Sequence, residues 1–343
     1  MGKAERCQIM QKIQNERNSF VISYVTSTRQ GLEVQMAMDS VRKIYEHLRL
    51  ITTPKSETKI DLFLYSNGGD GTVPWRLVTL IREYTNNFSV LIPHRAFSAA
   101  TLTALGADKV LMHPMGMLGP TDPTVVNPFN PRDHLNQPLG ISVEDVTAYI
   151  ALVKEDVGIH HEDELVQAFN KLADQVHPLA LGNVKRSLSQ SRMMAKKLLY
   201  LHMDLKKDEH KINEIVDGLT SKLFFHGHPI NRNEAKEQIG LPTIEFPSSS
   251  LEELMWELYL DYEHEIHMEE PFNPAMEWST QFPTAQAGHL PVLTTKETAK
   301  LVYVESAART DIYTCDYQIV GQKSPEGIVQ ATFLLQNGGW SVE

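Results

Sequence analysis

The sequence predicts an α/β fold on a mostly parallel sheet, and three observations carry that expectation. From Phe20 to Asp122, short apolar runs alternate with helical patterns, the spacing of right-handed βαβ units. Twice in succession an apolar run ends in a turn that opens directly into a helix: Leu62 to Tyr65 stops at Ser66-Asn67-Gly68-Gly69-Asp70-Gly71, and Phe88 to Ile92 breaks at Pro93-His94-Arg95. With 343 residues, 42% hydrophobic and 22% charged, the chain has the composition of a globular protein with a sizeable core.

In chain order, Ala4 to Asn15 reads as an amphipathic helix with Ile9, Met10 and Ile13 on its apolar side. Phe20 to Thr26 is a strand. Asp39-Ser40 caps a helix carrying Val41, Ile44, Tyr45 and Leu48, and Pro54 to Thr58 links it to the Leu62 strand. Pro74 suits the first turn of the next helix, on which Leu77, Val78, Leu80, Ile81 and Tyr84 share roughly one face. After the Phe88 strand, Ala96 to Leu102 opens a helix of small residues around Ser98, and Val110 to Met112 is a further strand. Thr124 to Gly140, broken by Pro128, Pro131 and Pro138, is an irregular stretch with the length of a lid or an oligomer contact, and equally of a simple surface loop.

Val143 to Asp217 reads helical, with breaks at Gly158 and around His177 to Gly182. Asn231 caps a small helix that stops at Gly240. Leu251 to His267 is a helix whose outer face is dominated by Glu252, Glu253, Glu257, Asp261, Glu263, Glu265, Glu269 and Glu270. With His264 and His267 interspersed, a solvated acidic face accounts for this pattern better than a metal site. Composition shifts after Glu270: Pro271 to Pro291 is punctuated by proline and glycine, then Leu301 to Glu305, Ile312 to Ile319, Gly327 to Leu335 and Trp340 to Val342 read as short strands. The expected division is therefore residues 1–270 and a β-rich segment, residues 271–343, suited to oligomerisation or partner binding.

Ser98 is placed at a helix start just beyond a strand, where free backbone N–H groups stabilise developing negative charge. Serine is also an ordinary N-cap. The glycine pair adds a reason for chemistry, because neighbouring strand-to-helix loops of a parallel sheet lie side by side. Gly68 and Gly69 can then present N–H groups across from Ser98, with Ala99 supplying another.

Five motifs occur in a fixed order: SNGGD (Ser66 to Asp70), AFSAAT (Ala96 to Thr101), ADKVLMHPMGMLGPTDP (Ala107 to Pro123), HPLALG (His177 to Gly182) and HGHPINRNEAKEQIGL (His226 to Leu241). Together they resemble the serine dehydrogenase proteinase family of the Clp/crotonase superfamily, related to signal peptide peptidase A and to the Clp protease proteolytic subunit. The resemblance spans roughly residues 15 to 250. It implies a Clp/crotonase-like superhelix of β-β-α units carrying the small C-terminal β-rich appendage. It also implies a serine peptidase acting on peptide or protein substrates through an acyl-enzyme on Ser98, with Gly68, Gly69 and Ala99 as oxyanion hole, in a homo-oligomer. No metal or other cofactor is called for. Despite the family's name, no dinucleotide or pyridoxal phosphate motif is present.

A serine hydroxyl needs a base in reach. The histidine of a Clp-type triad aligns with Thr121, so the chain departs from that pattern, and His113 reads as a packed imidazole. Asp122 reads as fixing its own turn. The Ser-Lys dyad of signal peptide peptidase A points to Lys154, in YIALVKEDVGI, with Lys185 and then His226 or His228 as alternatives. The unsettled base leaves open a peptide-binding or scaffold protein of the same fold. A crotonase-type enzyme acting on coenzyme A thioesters would need placed carboxylates and basic contacts near Asn67 to Asp70, and these are not evident.

The net charge of −11 argues against nucleic acid or an anionic membrane as main partner. Lys185, Arg186, Arg192, Lys196 and Lys197 read as the solvated face of a helix whose inner side holds Leu188, Met194, Leu198 and Leu199. Two distant cysteines, Cys7 and Cys315, suit a reducing cytoplasm. No signal-peptide h-region and no membrane-length apolar run is present.

Overall fold

The computed structural model describes residues 2–121, 124–125, 127–134, 136–220, 228–283, 293–324 and 326–343. The expected Asp122 turn and His226 lie outside them.

Helix α1 (Lys3–Arg17) leads into β1 (Phe20–Thr26), then come α2 (Met38–Leu48), β2 (Lys59–Tyr65), α3 (Val73–Tyr84) and β3 (Asn87–Ile92). After them follow β4 (Arg95–Ala96), α4 (Ala99–Leu105), β5 (Lys109–Met112) and β6 (Met117–Leu118). The stretch expected as an irregular loop is framed by a short antiparallel pair, β7 (Thr124–Val125) with β8 (Ile141–Ser142). Next come α5 (Val143–Ala151), a π-helical turn (Leu152–Asp156), α6 (Glu162–Gln175), α7 (Pro178–Leu199) and α8 (Glu209–Thr220). The chain closes with β9 (Ile230–Asn231), α9 (Arg232–Glu237), β10 (Ile244–Glu245), α10 (Ser249–Ile266), α11 (Pro274–Gln281), β11 (Leu293–Ser306), β12 (Arg309–Lys323) and β13 (Val329–Val342).

The main sheet runs β10-β5-β3-β2-β1-β11-β12-β13. Its five strands from β10 to β1 are parallel, with Tyr24 beside Leu64, Leu62 beside Val90, and Val90 beside Val110. The last three are antiparallel and join at β1, Tyr24 opposite Val304. The strand period of two sorts side chains onto two faces. Ile22, Tyr24, Leu62, Leu64, Val90 and Ile92 pack with Ile44, Leu77, Ile81 and Leu102, and with Leu198 and Ile215 from the later helices. Val21, Val25, Phe63, Tyr65 and Leu91 pack on the other face against Met10, Ile13, Met255 and Tyr262 of α1 and α10. A second small sheet, β4-β6-β9, stands at the strand ends and carries the loop bearing Ser98.

The C-terminal strands are fewer and longer than expected. Residues read as two strands at 327–335 and 340–342 form one, β13, because a register shift between Thr314 and Asp316 and a left-handed Asn337 (φ 50°) carry Gly338-Gly339 past without ending the pairing. Asp261, assigned to the outer face of its helix, is buried instead: Arg6 Nη1 donates to its Oδ1 at 2.7 Å. An acidic side chain reads as solvated until its cation, 255 residues away, is known.

Candidate active site

Strand β2 ends at a turn held by hydroxyls. Ser66 Oγ accepts from Thr26 Oγ1 (2.8 Å) and from the Gly68 N–H (3.0 Å). Gly68 has φ +94°, and a Cβ there would stand 2.5 Å from the Phe97 carbonyl oxygen. Gly69 lies so close to the neighbouring segment that a Cβ would meet the backbone N and O of Met36, each at 2.5 Å. Only glycine allows both approaches. Asp70 fixes the exit, accepting from the Thr72 N–H (2.8 Å) and hydroxyl (2.7 Å) ahead of α3.

The adjacent loop is bonded to this turn: Ser66 N–H donates to Arg95 O, and Phe97 N–H donates to Ser66 O, both at 3.0 Å. Ser98 then adopts φ 50°, ψ −111°, a conformation that non-glycine residues rarely take and that clusters at functional turns. A strained strand-to-helix turn of this kind projects a serine hydroxyl away from the backbone. Ser98 is half-buried, and its side chain forms no capping hydrogen bond. Behind it, buried Thr101 locks α4 to the glycine-proline turn, bonding Ala96 O (2.7 Å), Gly119 O (2.8 Å) and Gly119 N–H (3.1 Å).

The structure brings Ser98, Gly68 and Gly69 to one cavity of about 520 Å³. The Gly68 N–H is already given to Ser66. Among the described residues the amides of Gly69 and Ala99 have no hydrogen-bond acceptor. The backbone beside the glycine turn is occupied on one side by the chain itself: Met36 N–H donates to Gly68 O (2.7 Å), and Asp70 N–H donates to Met36 O (3.0 Å).

Lys154 is not brought to this cavity. It stands exposed in the π-helical turn after α5, and α6, which follows, has no buried residue. Lys185 is exposed on α7. His228 lies 2.7 Å from Glu234 Oε1, away from Ser98's cavity lining. His113 is packed, as expected, stacking on Trp256 with ring centroids 5.0 Å apart while its Nδ1 accepts from Met115 N–H. The cavity instead gathers Glu33 and Gln35 from the segment after β1, Thr121, and Ser187, Gln190 and Ser191 from α7. Thr121 lies in the GPTDP end of the third motif, whereas the other five belong to no motif. The spacing of Ser187, Gln190 and Ser191 on one helical face is their only signal in the sequence.

His94, four residues before Ser98, backs the loop. Its Nδ1 is 3.1 Å from the Tyr259 hydroxyl, which donates to Glu263 at 2.6 Å. Burial, reinforced by the Arg95 charge, pushes the His94 pKa down to about 4, so the ring is neutral at pH 7. Burial pushes the Tyr259 phenol upward, helped by its neighbours Tyr65 and Glu263.

Two uncharacterized proteins of Methanocaldococcus jannaschii are similar: one is 25% identical over 236 residues, covering 68% of this chain and 71% of the relative. The other is 23% identical over 237 residues, covering 68% and 70%. A solved structure of a mutant 1510-N membrane-bound stomatin-specific protease in complex with a substrate peptide aligns at 12% identity and a TM-score of 0.27, covering 70% of this chain and 98% of that one. No helix among the described residues is long and apolar enough to cross a membrane. Residues 2–136, which span the glycine turn and Ser98, match the model of the ClpP-like SDH-type serine proteinases.

Proposed function

We propose that the chain is a serine endopeptidase with Ser98 as nucleophile. The observation that carries this reading is the strained Ser98 turn beside two amides, Gly69 and Ala99, that have no acceptor among the described residues. Ser98 Oγ attacks a peptide carbonyl carbon and gives its proton to a base. The oxyanion accepts hydrogen bonds from the Gly69 and Ala99 N–H groups, which replace water with preorganised donors. The C–N bond then breaks, the amine leaves with the proton, and water hydrolyses the Ser98 ester. Gly68 serves by conformation, since its own N–H is engaged by Ser66.

Lys154 is the base this reading carries. It reaches Ser98 only if the segment holding α5 and the π-helical turn swings over the cavity or is supplied within a homo-oligomer. Residues 1–270 would form the peptidase portion, working without a cofactor, in a cytoplasmic setting, on peptide or protein substrates.

A second reading, a peptide-binding protein of the same fold, is favoured by one observation: among the described residues no lysine or histidine lines the Ser98 cavity. Labelling with a fluorophosphonate probe separates the two. Labelling of the wild type that is lost in Ser98→Ala supports the peptidase, and its further loss in Lys154→Ala with the fold intact supports the dyad. Retained labelling in Lys154→Ala directs the base search to Lys185 and the histidines. A wild type that never labels leaves the binding reading.

A further inference from the structure

The two edges of the main sheet are treated differently. At one edge β10 has only two residues, and its Glu245 pairs with Lys109 at 2.8 Å. Short, charged edges resist pairing with other chains. At the other edge β13 runs from Val329 to Val342 without one charged residue or proline. The strands inside it carry the charges: Lys296, Glu297, Lys300 and Glu305 on β11, and Arg309, Asp311, Asp316 and Lys323 on β12. This inverts the usual protection of an edge.

The stretch Val329 to Gln336 is regular, pairing residue by residue with Lys323 to Asp316. Its inner side chains are held, Phe333 against Phe272 at 4.9 Å between ring centroids. Leu334 and Leu335 remain 55% and 53% exposed, and Ile328, immediately before the stretch, is 63% exposed. Among the described residues no strand pairs with the outer backbone of this stretch.

We infer that Val329 to Gln336 is a self-association edge, pairing antiparallel with the same stretch of a second copy about a two-fold axis. Antiparallel pairing makes such an edge complementary to itself, each outward N–H meeting an outward carbonyl of the other copy. Eight residues give a strip about 27 Å long. The missing charge points to this occupant, because two copies that each carry a net charge of −11 approach most easily along a neutral strip flanked by leucines. The inference rests on the sheet edge alone and is independent of the peptidase reading.

The test is sedimentation of the full chain from 1 to 100 µM, with amide hydrogen exchange at both ends of that range. The expected mass is twice that of the chain or a higher even multiple. Alternate amides of 329–336 should exchange at least tenfold more slowly at the high concentration. Leu334→Lys with Leu335→Lys should return the monomer and leave its circular dichroism spectrum unchanged, since both side chains are exposed. A monomer at 100 µM overturns the inference and leaves the edge to an extended segment of a different protein. An oligomer that survives the double variant, or one with no concentration-dependent protection at 329–336, overturns it as well. The wild-type exchange comparison decides even if the double variant misfolds.

Discussion

A Cβ on Gly68 would stand 2.8 Å from the Cβ of Ser98 and 2.9 Å from the amide nitrogen of Ala99. Both distances are below any ordinary carbon contact, and backbone surrounds the position, so no flexible side chain can yield. Gly68→Ala must therefore move the Ser98 loop as well as strain its own φ of +94°. The variant should lose about 1–3 kcal/mol of stability and at least tenfold in fluorophosphonate labelling rate. Denaturant titration beside labelling checks both, and a folded Gly68→Ala that labels at the wild-type rate would contradict the close packing of the two loops.

Ser98 carries its own strain. At φ 50°, ψ −111° a side chain costs about 1–3 kcal/mol that glycine does not incur. Glycine also loses more backbone freedom on folding, by about 0.5–1 kcal/mol. Relief exceeds that loss over most of this range, so Ser98→Gly should be more stable than Ser98→Ala by up to about 2 kcal/mol. Neither variant should label. Thermal melting of the pair is the measurement, and Ser98→Ala emerging as the more stable would show the turn to be relaxed.

Much of this turn was legible in the sequence. Apolar runs ending in Gly68-Gly69 and in Pro93-His94-Arg95 fix strand ends through local backbone preferences, which neighbouring residues determine. Ser98 at a helix start followed from the same reasoning. What stayed hidden depends on contacts between distant segments. Nothing near Gly68 announces that Ser66 takes its N–H while Gly69 keeps its own, because Ser66 is itself positioned by Thr26 on another strand. Glu33 and Ser187 meet Ser98 at one cavity only after the sheet is assembled. The Asn337 bulge joins two expected strands because its partner strand shifts register opposite it. Lys154 was placed by analogy with a dyad, and helical periodicity alone could not say whether it would lie inside or in solvent.

Arg6 ties the first helix to the C-terminal strands. Fully buried, it donates from Nη1 to Asp261 (2.7 Å) and from Nε to Glu305 (2.8 Å), and its guanidinium lies over the Tyr262 and Tyr303 rings. Glu305 also accepts from the hydroxyls of Tyr262 and Thr310, each at 2.7 Å. Removing the cation strands two carboxylates away from water, which costs about 3–5 kcal/mol. Arg6→Ala should fall in that range. Arg6→Lys should recover only part of it, because one ammonium cannot serve two divergent carboxylates and stack on rings as a planar guanidinium does. Chemical denaturation of both variants is the check, and an Arg6→Ala loss below about 1 kcal/mol would show that the network contributes little.

His47 is also fully buried, with Nδ1 2.8 Å from Ser306 Oγ and Nε2 3.2 Å from Asp311 Oδ2. Ser306, His47 and Asp311 are the residue types of a hydrolase triad, yet all three are closed off from solvent, so their effect is on stability. Burial pushes the His47 pKa down to about 4 from 6.5, outweighing the attraction of Asp311, with Arg309 adding to the fall. The unfolded chain therefore binds this proton first as pH drops, and protonation favours unfolding. Stability is complete above pH 6.5 and declines as pH falls toward 4. One such histidine removes about 2 kcal/mol between pH 7.5 and pH 5. Asp311 titrates lower still: against the burial that raises it, its bonds to Arg309 hold its pKa below the usual 3.8. Its own loss therefore begins only at more acid pH and leaves the His47 window clear. His94, His113 and His202 are also shifted down, so the wild-type slope alone does not isolate His47, and the comparison must be with His47→Gln. That variant starts less stable at pH 7.5, and its further loss by pH 5 should be about 2 kcal/mol smaller than the wild type's. Parallel pH curves for the two proteins would mean that His47 is already protonated in the fold, paired as a cation with Asp311.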